Sequence, residues 1–434
     1  PWLLRDAAPD TAEAREKRAK AALARVASIE PKLAKVRELA FLHEVPTVYQ
    51  SLDDFRAYLE REIAKDLPPG KARDQARAYR HIGLFAKDVD LAAAEEQMME
   101  SQAAAYYDPE VKKFFLVMVP DSDLMLDTIS AHELTHGLQD QHFDLTHFLE
   151  PRGRKLDQDA ETARRFVAEG DATLAMLVYA IVEATGKDSV PPAMMAMIAT
   201  QVHQLASQDL ASFAETTRKQ SALLGGMDAD IQHAVDAMAE LPPAVLEPLV
   251  ASYTKGAEVA LVAYQHGGWA AVDQLYRDPP ESTEQVLHPD TKLYPREHPH
   301  RVTLAAPPGR ELEADVLGEL LWQVYFQLWV PPRAIEASEG WGGDRFDVYE
   351  RKDGRLIGRI ATVWDTTTDA TQFADAYLAS LAARFPGAAK TADGVVRPDG
   401  GKVMVRTIGA KVLIVDGGDD DTALDQLARD ARFE

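Results

Sequence analysis

His132-Glu133-Leu134-Thr135-His136 is the stretch on which the reading of this chain turns. Four residues of α-helix turn the chain by about 400°, so the two histidines stand about 40° apart and roughly one turn along the axis, and both imidazoles reach a single metal ion. Glu133 lies between them, placed as the general base for a water held beside that metal. Ile129 and Leu134 supply apolar positions, and Asp127 or Thr128 offers a cap for the helix start. The plainer alternative is two exposed histidines on a solvated helix.

A catalytic zinc takes three protein ligands and leaves its fourth position open. His142 is one candidate for the third ligand, and it completes a spacing that resembles the metzincin pattern. That pattern breaks its helix at a glycine three residues after the second histidine, where this chain has Gln139. On an unbroken helix His142 points about 80° to the other side of His132. The favoured candidate is Glu169, in a stretch of helical period from about Asp159 to Ala184 in which Ala163, Phe166, Val167, Leu174, Leu177, Val178 and Ile181 recur on one side. A second helix antiparallel to the first brings its carboxylate to the histidine pair, which resembles the gluzincin arrangement of thermolysin-like peptidases. Glu161, about two turns earlier, is a weaker rival.

The likeness extends past the motif. The block from His132 through Leu145 resembles that of a poorly characterised family of bacterial metallopeptidases, mostly exported or lipid-anchored. So do the Glu-Gly-Asp-Ala segment at Glu169 to Ala172, Tyr107-Asp108-Pro109 ahead of the zinc helix, Ser282 through Pro289, and Gly340 to Asp344. The resemblance runs from about Val36 to the C-terminus. It implies a Zn2+-dependent hydrolysis of peptide bonds, with His132, His136 and Glu169 as ligands and Glu133 as base. His288, inside a shared block and fixed by the following proline, is the expected electrophile for the developing oxyanion, with Tyr253 in reserve. The hairpin holding Tyr107 is expected to bind the substrate backbone, although Tyr106 and Tyr107 also suit ordinary strand packing. Thermolysin-like chains place an aspartate where Thr173 stands, so Asp140 and Asp171 become the candidates for orienting the histidines. Rival readings are an inactive zinc-site binding or scaffold protein, and hydrolysis of a non-peptide amide or epoxide.

Composition narrows the partners. The 434 residues carry 47 Lys and Arg against 70 Asp and Glu, a net charge of −23 that argues against nucleic acid or an anionic membrane. There are no cysteines, so zinc here must be held by histidine and carboxylate. No segment is apolar enough to span a bilayer. The chain starts at Pro1, and together with the resemblance this gives the expectation of an exported protein whose signal has been removed, although a cytoplasmic one is equally consistent with composition.

The fold expected is a mostly α catalytic part with a small β-hairpin or sheet beside the zinc helix, zincin-like, followed by a small α+β module. We divide the chain into a helical region over 1–102, the catalytic domain over 103–330 and the module over 331–434. Helix is expected from Asp10 to about Ser28 and in pieces to Gln102. A hairpin pairs Ala103–Tyr107 with Lys113–Val119, and nearly continuous helix runs from Asp159 to Leu275, broken at Pro191-Pro192, Gly225-Gly226 and Pro242-Pro243. The run Met194-Met195-Ala196-Met197 reads as core filler. A helix near Glu311–Trp329 closes this part. Strands follow at Phe346–Tyr349, Leu356–Trp364, Lys402–Thr407 and Lys411–Val415, with helices at Thr368–Arg384 and Thr422–Ala431. Asp416 and Asp419 to Asp421 read as a solvated acidic turn.

Overall fold

The computed structural model describes residues 12–100, 104–119, 122–187, 189–207, 240–419 and 422–434. The expected break at Gly225-Gly226 lies outside them. Helix α1 (Ala12–Ala27) buries Ala19, Ala22 and Val26, one stripe of a 3.6-residue period. It leads to α2 (Glu30–Arg37), which begins with Pro31 in its first turn. A three-residue strand β1 (Thr47–Tyr49) precedes α3 (Leu52–Asp66), whose cap Ser51 accepts a hydrogen bond from the Asp54 N–H. Helices α4 (Pro69–Ile82) and α5 (Leu91–Glu100) follow.

Strands β2 (Ala105–Asp108) and β3 (Lys113–Leu116) form the expected hairpin. Asp108 closes its turn by accepting hydrogen bonds from the Glu110 and Val111 amides. β1 adds in parallel on the far side of β3, giving the order β1-β3-β2 and leaving β2 as an edge. The sequence reading placed only helix before Gln102. Three residues between Pro46 and the Ser51 cap are too few to show a period.

The zinc-motif helix is α6 (Asp123–Phe143). It starts a turn earlier than expected, because Ser122 supplies the cap by accepting from the Met125 N–H. Asp127 therefore lies inside the helix, where Arg25 of α1 pairs with it at 2.5 Å. After α7 (Leu145–Leu149), α8 (Gln158–Thr185) is capped by Asp157 and ends at Gly186 with φ of 63°. Then come α9 (Pro192–Ala206), α10 (Pro243–Gly267), α11 (Trp269–Arg277) and two short helices, α12 (Thr283–Leu287) and α13 (Pro289–Lys292). One apolar core joins these helices to the three-stranded sheet through Leu134, Leu138, Phe166, Leu174, Val259 and Phe114. The methionine run fills it only in part: Met195 packs against it, whereas Met197 is among the exposed large apolar side chains.

The C-terminal part is built on antiparallel sheet. Strand β4 (Val302–Thr303) precedes β5 (Arg310–Asp315), α14 (Gly318–Trp329), α15 (Ala334–Ser338), β6 (Trp341–Glu350), β7 (Leu356–Trp364), α16 (Thr367–Arg384), β8 (Ala389–Lys390), β9 (Gly394–Val396), β10 (Lys402–Ile408), β11 (Lys411–Gly418), α17 (Thr422–Asp430) and β12 (Arg432–Phe433). The seven-stranded sheet runs β5-β6-β7-β11-β10-β9-β8. Alternation sorts its side chains. Phe346, Ile360, Val412, Ile414 and Val405 face α14, α16 and α4, whereas Ala361, Val363, Leu413 and Val415 face α17. The sheet thus begins at Arg310 rather than after 331, and Tyr79 and Ile82 of the N-terminal region pack into its core. Asp416 is buried between Arg384 and Arg397, not on a solvated turn, and Asp419 pairs with Arg351 and Arg355.

The blocks around Thr283 and Asp344 meet at α14, where the Leu320 N–H donates to the Thr283 hydroxyl. Asp159, near the start of α8, accepts hydrogen bonds from the Thr283 amide and hydroxyl. Asp344 accepts from the Leu317 and Gly318 amides and from the indoles of Trp322 and Trp341. Four donors on one buried carboxylate offset the cost of desolvating it.

Candidate metal centre

His132, His136 and Glu169 form a cluster that could hold a metal ion, with one ligand atom from each lying within 4.8 Å of the others. The His132 Nε2 is 3.2 Å from the His136 Nε2 and 3.1 Å from Glu169 Oε2, and the His136 Nε2 is 3.5 Å from that same oxygen. Ligands about 2.0–2.1 Å from a tetrahedral metal stand roughly 3.3 Å apart. The three separations bracket that edge. Of the candidate third ligands, the fold brings in Glu169 only. The His142 Nε2 bonds the Ala40 carbonyl at 2.7 Å, and Glu161 lies on an exposed turn of α8.

The protonation pattern around His136 follows from its neighbours. The Gln139 Nε2 donates to the Ala168 carbonyl at 2.9 Å and to Asp171 Oδ2 at 3.1 Å, which fixes the amide with Oε1 toward His136. That oxygen lies 2.9 Å from the His136 Nδ1, so Nδ1 carries the proton and donates. The Nε2 of a neutral His136 is then a lone pair aimed at the cluster. Burial lowers the His136 pKa, but the charge and hydrogen bond of Glu169 outweigh it and push it up to about 9. Burial likewise raises Glu169, yet the charge of His136 and hydrogen bonds from both imidazoles hold it well below the usual carboxylate range. His136 and Glu169 thus form an imidazolium–carboxylate pair at neutral pH, and a metal ion held there would take the place of the proton on the His136 Nε2.

Asp171 orients His136 through Gln139 rather than by direct contact. It also accepts from the Arg37 Nε at 2.7 Å and the Tyr276 hydroxyl at 2.9 Å. Arg37 is fully buried, pairs with Asp273 at 2.6 Å and lies over the Trp269 ring. Asp140 corrects expectation: it does not reach the histidines but accepts from the Tyr107 hydroxyl and Lys112 Nζ, each at 2.8 Å. It ties the hairpin to α6. Tyr107 is also placed differently from expectation, with its ring buried against α6. Its contribution to the site is the backbone N–H, which donates to Glu133 Oε2 at 2.9 Å. Tyr106 stacks on Phe115 and Tyr58, as ordinary strand packing.

Glu133 is half-buried beside the cluster, and loss of water around its carboxyl raises its pKa against the pull of His132 and His136. Facing it from α10 is Tyr253, whose ring centroid is 5.6 Å from that of His132. Burial, then the charges of Glu169 and Glu133, raise the Tyr253 phenol well above its ordinary value, so it keeps its proton and can donate. Two glycines allow this approach. A Cβ on Gly170 would lie 2.0 Å from the Gly256 carbonyl oxygen, and one on Gly256 would lie 2.5 Å from the Phe166 oxygen. Bare backbone contact between α8 and α10 brings Tyr253 to Glu169.

His288, the residue expected in that role, is elsewhere. Its Nε2 pairs with Glu319 Oε1 of α14 at 2.8 Å, and among the described residues no hydrogen bond or ion pair joins it to the cluster. It belongs to a buried charged group in which Lys292 meets Glu284, Glu297 and Asp365 at 3.1, 3.0 and 2.5 Å. Burial pushes Glu284 up to about 8 despite Lys292. A carboxyl whose pKa is raised on folding adds stability below its unfolded value, and that stability is lost as pH rises toward the folded one. Glu284→Gln should therefore gain in Tm relative to the parent between pH 5 and pH 8. A difference in Tm that stays constant over this range would contradict the assignment.

Comparison with known proteins touches only the C-terminal part of the molecule. Residues 303–428 match the model of a family described as a domain of unknown function (DUF8575). The match covers the seven-stranded sheet with α14 and α16 and leaves out His132, His136 and Glu169. No curated protein and no solved structure matches the chain.

Proposed function

We propose that the chain is a zinc peptidase of gluzincin type, with His132, His136 and Glu169 as the ligands. The observation that carries this reading is the set of three electron-pair donors at tetrahedral spacing, with Glu133 on one flank and Tyr253 on another. Two imidazoles and a carboxylate, with no thiolate, suit zinc, and the helical sequence order of the ligands suits the gluzincin pattern. When bound, zinc supplies a Lewis acid that polarises a carbonyl and acidifies water. Glu133, steadied through Oε2 by the Tyr107 amide, accepts the proton of the attacking water and delivers it to the departing amine nitrogen. Tyr253 donates to the oxygen that gains charge as the carbonyl carbon becomes tetrahedral. The edge strand β2 runs beside α6 and suits an extended peptide, although its Tyr107 amide is already committed to Glu133.

His142 argues against a four-ligand structural site, since its nitrogen is turned to the Ala40 carbonyl. The test is casein hydrolysis by the purified protein, abolished by a chelator and restored by zinc. Tyr253→Phe should lower kcat by about 10²-fold with zinc retained, the usual loss for an oxyanion donor. An unchanged kcat would remove Tyr253 from the mechanism.

A further inference from the structure

Arg165 lies four residues before Glu169 on α8, about 40° round the helix and about 6 Å along it. Its side chain is exposed, and that of Glu169 is 20% exposed, so both open on the same side of the helix. Glu161, one further turn back, is the partner an exposed arginine would ordinarily take. Among the described residues, however, no hydrogen bond or ion pair engages the Arg165 guanidinium. Its charge is felt by the Tyr253 phenol, by Glu95 of α5 and by Glu161. Its charge thus reaches groups on α5 and α10 as well as on its own helix. Of the groups that feel its charge, Glu95 and Glu161 are acids, and Glu161 also feels Lys155. A cation with no hydrogen bond or ion pair among the described residues thus stands one helical turn before Glu169.

We infer that Arg165 selects substrates by anchoring a carboxylate one or two residues from the scissile bond. This rests on reading the cluster as a peptidase site. An extended peptide advances about 3.3 Å per residue, so 6 Å along α8 corresponds to about two residues. A planar guanidinium meets a carboxylate through two parallel N–H donors, a pairing that neither an amide nor an ester reproduces. The carboxylate can be a free C-terminus or an Asp or Glu side chain, and both present the same two oxygens.

Two measurements test this. First, a peptic digest of casein is exposed to the zinc-loaded parent, and the cut sites are read by mass spectrometry. Cuts should be enriched about 10–100-fold at bonds with an acidic side chain or free C-terminus within two residues, the range of a charge-assisted hydrogen bond. Arg165→Ala should erase that enrichment, Arg165→Lys should keep part of it, and zinc content should not change. Enrichment at side chains alone or at termini alone identifies which carboxylate is read. Second, Glu133→Gln protein is titrated calorimetrically with a free-acid peptide and its C-terminally amidated form, and with Glu- and Gln-containing pairs. Tighter binding of the acid form, lost in the Glu133→Gln/Arg165→Ala double variant, supports the anchor even if the parent cleaves nothing, an outcome that would refute the peptidase reading alone. Equal binding of acid and amide forms, or a preference that survives Arg165→Ala, overturns the anchor whether or not the protein cleaves.

Discussion

Replacing Glu133 with glutamine is expected to lower kcat by 10²–10⁴-fold or more, roughly the contribution of a positioned general base, while zinc stays bound. Glutamine keeps the volume of the side chain and an oxygen that can still accept from the Tyr107 amide. What it loses is the capacity to take a proton. The ligands His132, His136 and Glu169 are untouched, and so is the Gln139 bond that fixes His136. Casein hydrolysis and metal content measured on the same preparation separate the two roles. Loss of zinc from a folded Glu133→Gln protein would make Glu133 a ligand, and full activity would remove it from the chemistry.

Gly170→Ala is expected to combine the largest stability loss with a loss of activity. The added Cβ would sit 2.0 Å from the Gly256 oxygen and 2.2 Å from its carbonyl carbon, so no side-chain rotation relieves the clash. Helices α8 and α10 must separate, at a cost of about 3 kcal/mol or more for overpacking a tight contact. Glu169 is the adjacent residue on α8, and Tyr253 lies less than one turn from Gly256 on α10. Separation therefore pulls the phenol from the cluster, and kcat should fall about as far as in Tyr253→Phe. Gly70→Ala is the control, since its Cβ meets nothing within 4 Å. A Tm for Gly170→Ala equal to that of the control would show that the helix contact does not set the site.

The cluster of His132, His136 and Glu169 was legible because its information is local. His132, Glu133 and His136 fall within one and a half turns, and Glu169 sits in a strongly periodic helix with an aspartate cap. Tyr253 has no such signal. It comes 84 residues after Glu169 by simple subtraction, and only the Gly170–Gly256 contact turns it inward. His288 drew attention through the block around it, but that block works structurally, through Thr283 on Asp159. Gln139 was read for the glycine it replaces rather than for its own amide, which relays Asp171 to His136. In the sheet, β7, β10 and β11 are short runs rich in branched apolar residues and were placed closely, whereas β5 was absorbed into the helix that follows it. Its Arg-Glu-Leu-Glu-Ala-Asp sequence is poor in branched and aromatic residues and holds its place by pairing with β6.

Zinc stoichiometry in the purified chain, set against that of Glu169→Ala after dialysis, tests the centre most directly. One tightly held zinc per chain in the parent, and a loss of that zinc in a still-folded variant, is the result expected from the spacing of the three ligands. A parent that holds no zinc when zinc is supplied, or a Glu169→Ala protein that binds it as tightly as the parent, would contradict it.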